Sequence, residues 1–110
     1  MNELSFLVKG SAVDPYEVTF IKDGDSLTAL CTCPAGQFGN FCKHRITILD
    51  GDDKAIVSDN GKRVATIVEW LQGTDVAAAL SEYRKLEKAG DVSKSVLAAA
   101  KKKLARAMNT

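Results

Sequence analysis

The chain has 110 residues, of which 45% are hydrophobic and 26% charged. This is the composition of one ordinary globular domain, and it excludes a disordered tail, a collagen-like chain and a coiled-coil rod. The net charge of +1 shows that the chain as a whole is no polycation, and no run approaches the roughly 20 apolar residues of a membrane span. The first residues also lack the basic and apolar regions of a secretion signal, so we expect a cytoplasmic protein with no membrane partner.

The first half reads as strands and turns. Leu4–Lys9 has strand composition and Gly10-Ser11 closes it. Asp14-Pro15 marks a turn. From Tyr16 the chain alternates, with Tyr16, Val18 and Phe20 on one face. Asp23-Gly24 signals a hairpin, because glycine accepts the positive φ such turns require, and Leu27–Cys31 is the returning strand. Asp50–Asn60 is polar and turn-rich, a connector. Asp50-Gly51-Asp52-Asp53 resembles the start of a calcium loop but lacks the rest of its twelve-residue ligand pattern, so we read it as a turn.

The second half reads as helices. Lys62–Leu71 places Val64, Ile67, Val68 and Leu71 on one face, with Trp70 at its edge as core rim. Gly73 stops it and Thr74 caps the next helix, Asp75–Ala89, whose apolar face is Val76, Leu80, Tyr83 and Leu86. Gly90 ends that helix. Ser93 caps a last one, Lys94 to about Met108, antiparallel to its predecessor, with Leu97, Ala100, Leu104 and Met108 in register. Charge is uneven: residues 92–110 carry 5 basic side chains and no acidic one.

Cys31, Cys33, Cys42 and the single histidine, His44, lie within 14 positions, in the pattern C-x-C, eight residues, C-x-H. Three thiolates and an imidazole match the tetrahedral shell of a structural zinc ion. The spacing dictates the backbone. Residues two apart on a regular strand are too far separated to share one metal, so Cys31-Thr32-Cys33 must bend, and Pro34 ends the strand there. Residues two apart on a helix diverge by about 200°, so Cys42 and His44 must straddle a helix start that Arg45–Leu49 continues. Gly36 and Gly39 supply freedom to the intervening loop, and Lys43 and Arg45 offset the net −1 of a zinc ion with three thiolates. The competing readings are three core thiols with an unconnected histidine, a redox dithiol at Cys31 and Cys33, whose C-x-C lacks the usual C-x-x-C turn, and a catalytic zinc, for which four ligands leave no open position. A c-type haem needs C-x-x-C-H, which the chain lacks.

The C-x-C-x(n)-C-x-H pattern, with Pro34 after the second cysteine, Lys43 in the C-K-H step and a preceding hairpin, resembles the SWIM-type zinc finger over about residues 4–50. The resemblance implies a ββα module in which Cys31, Cys33, Cys42 and His44 hold one structural zinc ion. It also implies DNA or protein binding, since such fingers occur in transposase-like, chromatin-remodelling and recombination-associated proteins. Those chains are usually larger, and no transposase or helicase domain is legible here. The helical half resembles no family.

Basic side chains beside the motif and on the last helix are candidate phosphate contacts: Lys43, Arg45, Lys101, Lys102, Lys103 and Arg106. The plainer reading of the last four, with Lys94, is the solvated face of an amphipathic helix. Phe38 and Phe41 offer base-stacking surface, or else at least one forms the finger's small core against the hairpin. With its one histidine committed to metal and no glycine-rich phosphate loop, the chain has no enzyme chemistry legible in it and no small-molecule substrate is expected.

The expectation is therefore an α+β fold: a small antiparallel sheet with a zinc clip and an extra N-terminal strand in residues 1–50, and a helical extension in residues 51–110 packed into the same unit. The expected role is a non-catalytic zinc module whose partner is nucleic acid, DNA favoured; the alternative is a protein–protein adaptor with purely structural zinc.

Overall fold

The computed structural model describes residues 2–10 and 12–109. Ser11, expected in the turn that closes the first strand, lies outside them. Strands β1 (Asn2–Val8), β2 (Tyr16–Asp23) and β3 (Ser26–Cys31) form an antiparallel sheet in the order β1-β2-β3. The register sets Phe6 opposite Val18, Phe20 opposite Ala29 and Val18 opposite Cys31. Because side chains alternate along a strand, all five fall on one face, and all are buried. Phe6 and Phe20 meet edge to face with centroids 6.1 Å apart, a favoured aromatic geometry. Gly24 turns the β2–β3 hairpin with φ +60°, the conformation for which glycine was expected there.

Helices follow: α1 (Pro34–Gln37), α2 (Lys43–Leu49), α3 (Val64–Leu71), α4 (Asp75–Ala89) and α5 (Lys94–Met108). The caps are those the sequence signals. Thr74 accepts from the Ala77 amide at 3.2 Å and Ser93 from the Val96 amide at 3.3 Å, while Gly90 closes α4 with φ +74°. The expected start of α3 at Lys62 is instead a 3₁₀ turn over Gly61–Arg63. Buried side chains of both halves join in one core: Ile46, Ile48 and Leu49 of α2, Ile67 of α3, Leu80 and Tyr83 of α4, and Leu104 and Met108 of α5 accompany the inner face of the sheet. Trp70 is half-buried at the rim, as expected.

Residues 50–60 do more than connect. They return along the outer edge of β1, where Lys9 N donates to Ala55 O at 2.9 Å and Val57 N to Leu7 O at 2.8 Å. The Asn60 amide adds a bond to Ser5 O at 2.8 Å. A free edge offers unpaired amides and carbonyls to other chains, and this segment occupies it. The aspartate-rich stretch within it is a turn, with the Asp52 carboxylate accepting from the Lys54 amide at 2.9 Å.

Arg45 departs furthest from expectation. It is 0% exposed, the largest fully buried side chain. Its Nη1 donates to Ala29 O at 2.9 Å and its Nη2 to Asn40 O, which ties α2 to β3 and to the loop before α2. It is therefore not available as a phosphate contact: two backbone carbonyls already hold its guanidinium inside the protein. Substituting Arg45→Ala should lower the stability of the zinc-loaded protein by about 3 kcal/mol in urea unfolding, from an orphaned buried carbonyl at Ala29, the lost bond to Asn40 and a cavity. A loss under about 1 kcal/mol, the scale of one ordinary hydrogen bond, would show that the guanidinium is not a structural strut.

Candidate metal centre

The four expected ligands are delivered by three consecutive pieces of chain. Cys31 ends β3. The bend follows at Thr32, whose amide donates to Glu17 O at 3.0 Å while its hydroxyl accepts from the Glu17 amide at 2.9 Å, so β2 holds the departing strand from both sides. Cys33 is the N-cap of α1 in extended conformation, as the following proline requires, and its Sγ accepts from the Gly36 amide at 3.3 Å. Cys42 is the extended N-cap of α2 and His44 stands in that helix's first turn. The strand bend and the helix start demanded by the C-x-C and C-x-H spacings are both present.

Together the ligand atoms lie within 4.8 Å of one another. The sulfurs of Cys33 and Cys42 are 3.4 Å apart, and His44 Nδ1 is 3.6 Å from the Cys42 sulfur and 3.8 Å from that of Cys31. A tetrahedral zinc with bonds near 2.3 Å to sulfur and 2.0 Å to nitrogen separates its ligands by about 3.5–3.8 Å. Donor set, count and spacing thus fit one structural zinc ion. Burial of all three sulfurs adds to the fit. Acidity points the same way: the neighbouring Cys31 thiol pulls Cys42 down to about 4, while Cys31 is pushed up, first by Cys42 and then by burial.

The surroundings are shaped for this cluster. Tyr16 lies against the His44 ring with centroids 5.1 Å apart. Gly10 sits against both: a Cβ there would come within 2.4 Å of the Tyr16 ring and 3.2 Å of His44 Nε2. Gly36 was expected to loosen the loop, yet its role is space. A Cβ would stand 2.4 Å from Cys31 O and 2.8 Å from Cys31 Cβ. Gly39 does adopt a positive φ, +72°. Sequence reasoning missed Gly10 and Tyr16 as supports of the histidine, because nothing local links them to a residue so much further along the chain.

Of the candidate phosphate contacts, four gather around one aromatic ring. Phe41 packs on Tyr83 of α4, centroids 5.2 Å apart, and Lys101 Nζ lies 5.2 Å from its ring centroid. Lys101, Lys102 and Arg106 of α5 line a groove of about 370 Å³ with Gly39, Asn40 and Phe41. Across Phe41, Lys43 and Lys101 border a second groove of about 500 Å³, with Asp50, Arg84 and Glu87 on its far wall. Those three are mutually engaged: Arg84 bridges Asp50 and Glu87, and Glu87 accepts from the Tyr83 hydroxyl at 2.8 Å. Lys103 does not join the cluster, since it pairs with Glu82 of α4 at 2.9 Å. Phe38, by contrast, is 80% exposed.

Residues 16–50 match the SWIM zinc finger family, about a third of the chain. The match starts at β2, so β1 and everything after α2 lie outside it. No curated protein and no solved structure gave a match. Among the described residues, no helix is long and apolar enough to cross a membrane.

Four outcomes follow for the centre. Native mass spectrometry should find one zinc per chain. Cys33→Ser should lose the metal and unfold at least the first half, since zinc contributes about 10–16 kcal/mol in zinc-finger peptides; an unchanged melting curve would contradict this. Gly36→Ala should weaken zinc binding by about tenfold or more in a chelator competition, the range seen when groups that orient ligands are disturbed. Because the thiols must be deprotonated to bind, affinity should fall as pH is lowered.

Proposed function

We propose that this chain is a non-catalytic zinc-organised module that binds nucleic acid, with DNA favoured, along the seam between the zinc-finger loop and α5. The observation that carries the reading is the convergence of Lys43, Lys101, Lys102 and Arg106 on Phe41. Three of them line a groove with no acidic side chain among the described residues. Phosphate oxygens are held by cations outside ion pairs, and a cluster of them in a chain of net charge +1 concentrates the attraction at one place. The finger supplies the loop and Lys43, and the helical extension supplies the other three. Residues 1–50 and 51–110 therefore act in this reading as one unit. Zinc serves here as a structural ion, because four protein ligands leave no position for a water or substrate.

A second reading has its own observation. On the outer face of the sheet Leu7, Leu30 and, on the returning segment, Val57 are 41%, 42% and 54% exposed. Leu7 and Leu30 point to the same face, and Val57 pairs beside Leu7. Such a patch suits a protein partner, which would make the module an adaptor.

The first measurement is fluorescence anisotropy of the zinc-loaded protein with labelled DNA across a salt series. Affinity should fall steeply with salt. Lys102→Ala should weaken binding and reduce the slope of log K against log salt by about one. Lys103→Ala should have a clearly smaller effect, because that lysine is occupied by Glu82. Absence of binding at low salt would favour the adaptor.

A further inference from the structure

Phe38 has no packing role that accounts for its place. It is 80% exposed and makes no ring contact among the described residues. A lone exposed apolar side chain is ordinary; what distinguishes this one is the rigidity and charge of its setting. Its amide donates to Pro34 O at 3.3 Å, and the next two amides donate to Gly36 O and Ala35 O at 3.0 and 2.9 Å. The Gly39 carbonyl accepts from the side-chain amide of Asn109, just beyond α5, at 3.1 Å, and the Asn40 carbonyl accepts from buried Arg45. The ring is thus carried on a loop pinned to α1, α2 and the end of α5. Its immediate neighbours Gly39, Asn40 and Phe41 form one wall of the groove whose other wall is Lys101, Lys102 and Arg106.

An unpaired aromatic face on a rigid support, next to a cationic groove, is the arrangement by which proteins hold single strands: the groove tracks phosphates and the ring stacks a base. Accepting the nucleic-acid reading above, on which this inference rests, we infer that the strand bound is single, with one base stacked on Phe38 and the adjoining phosphates on Lys101, Lys102 and Arg106. A further feature opposes a duplex. Duplex bases are already stacked and offer an aromatic side chain only their edges. Lys101 and Arg106 are separated by ~7.5 Å along the helix, room for one or two phosphates. Bases in single-stranded DNA and RNA present the same faces and phosphates, so the chemistry recognised is common to both.

The test uses the full zinc-loaded chain and a fluorescein-labelled single strand of about 15 nucleotides, within the site sizes of small single-strand-binding domains. The same strand annealed to its complement and the RNA of the same sequence are measured beside it, all at one salt concentration. Zinc content of each variant is checked first, and replacement of so exposed a side chain should leave it unchanged. The single strand should bind more tightly than the duplex. Phe38→Ala should weaken single-strand binding by about tenfold. Phe38→Leu, which keeps apolar volume but loses the π face, should weaken it similarly, and Phe38→Trp should retain it. The loss is expected with either sugar, and the ratio of the DNA and RNA affinities identifies the source of the strand. Equal or tighter duplex binding, or single-strand binding indifferent to Phe38→Ala, would overturn the inference while leaving nucleic-acid binding intact. No binding of any of the three probes would remove the nucleic-acid reading itself.

Discussion

Convergence of four ligand atoms within 4.8 Å is the constraint on which the first half of the molecule turns. It requires β3 to end in a bend, α1 to begin at one ligand and α2 to begin at another. The loop between the helices is closed as a consequence. A structural zinc ion contributes about 10–16 kcal/mol in small fingers, as large as the whole net stability of an ordinary domain. With so short a sheet to provide apolar surface, metal binding and folding of this part are coupled. The close approaches at Gly10 and Gly36 belong to the same constraint, since a side chain at either would meet the ligands or their neighbours.

Arg45 is the counterpart of the cluster in the protein interior. A guanidinium removed from water costs several kcal/mol unless its donors are satisfied and its charge is compensated. Two carbonyls accept from its terminal nitrogens, its Nε has no hydrogen-bond partner, and among the described residues it pairs with no carboxylate. A zinc ion with three thiolates carries a net charge of −1 at the start of the same helix. Opposite charges at low dielectric attract strongly. Arg45 at the same time fixes the carbonyl of Asn40 in the loop wall.

The surface that the functional reading uses is a product of both halves. The matched finger contributes the loop of Phe38, Asn40 and Phe41 together with Lys43, and α5, outside the match, contributes three cations. Tyr83 seats Phe41, and Asn109 ties the loop to the end of α5. Neither the finger without its helices nor the helices without the finger would form the groove. Selectivity among the lysines has a simple electrostatic cause: among the described residues Lys103 forms an ion pair, with Glu82, and Lys101 and Lys102 do not, so consecutive residues of one basic run differ in what they have left to offer.

What could be read in the chain alone was local. The hairpin followed from alternation and a glycine turn, the three long helices from their apolar faces and from Thr74, Gly90 and Ser93. The ligand set followed from four soft donors in 14 positions, and the bend and helix start followed from their spacing. Each depends on residues within one or two turns of each other, where backbone geometry leaves few choices. Long-range placement lay beyond that reach. Arg45 sits among basic residues in sequence yet ends inside the core, because α2 packs over the sheet and aims it at Ala29. Phe41 finds the distant Tyr83, and the polar connector finds the open edge of β1. The lysine run is divided by where Glu82 happens to stand across the α4–α5 contact. In each of these cases the partner is distant in sequence, and packing of whole elements decides which side chains meet.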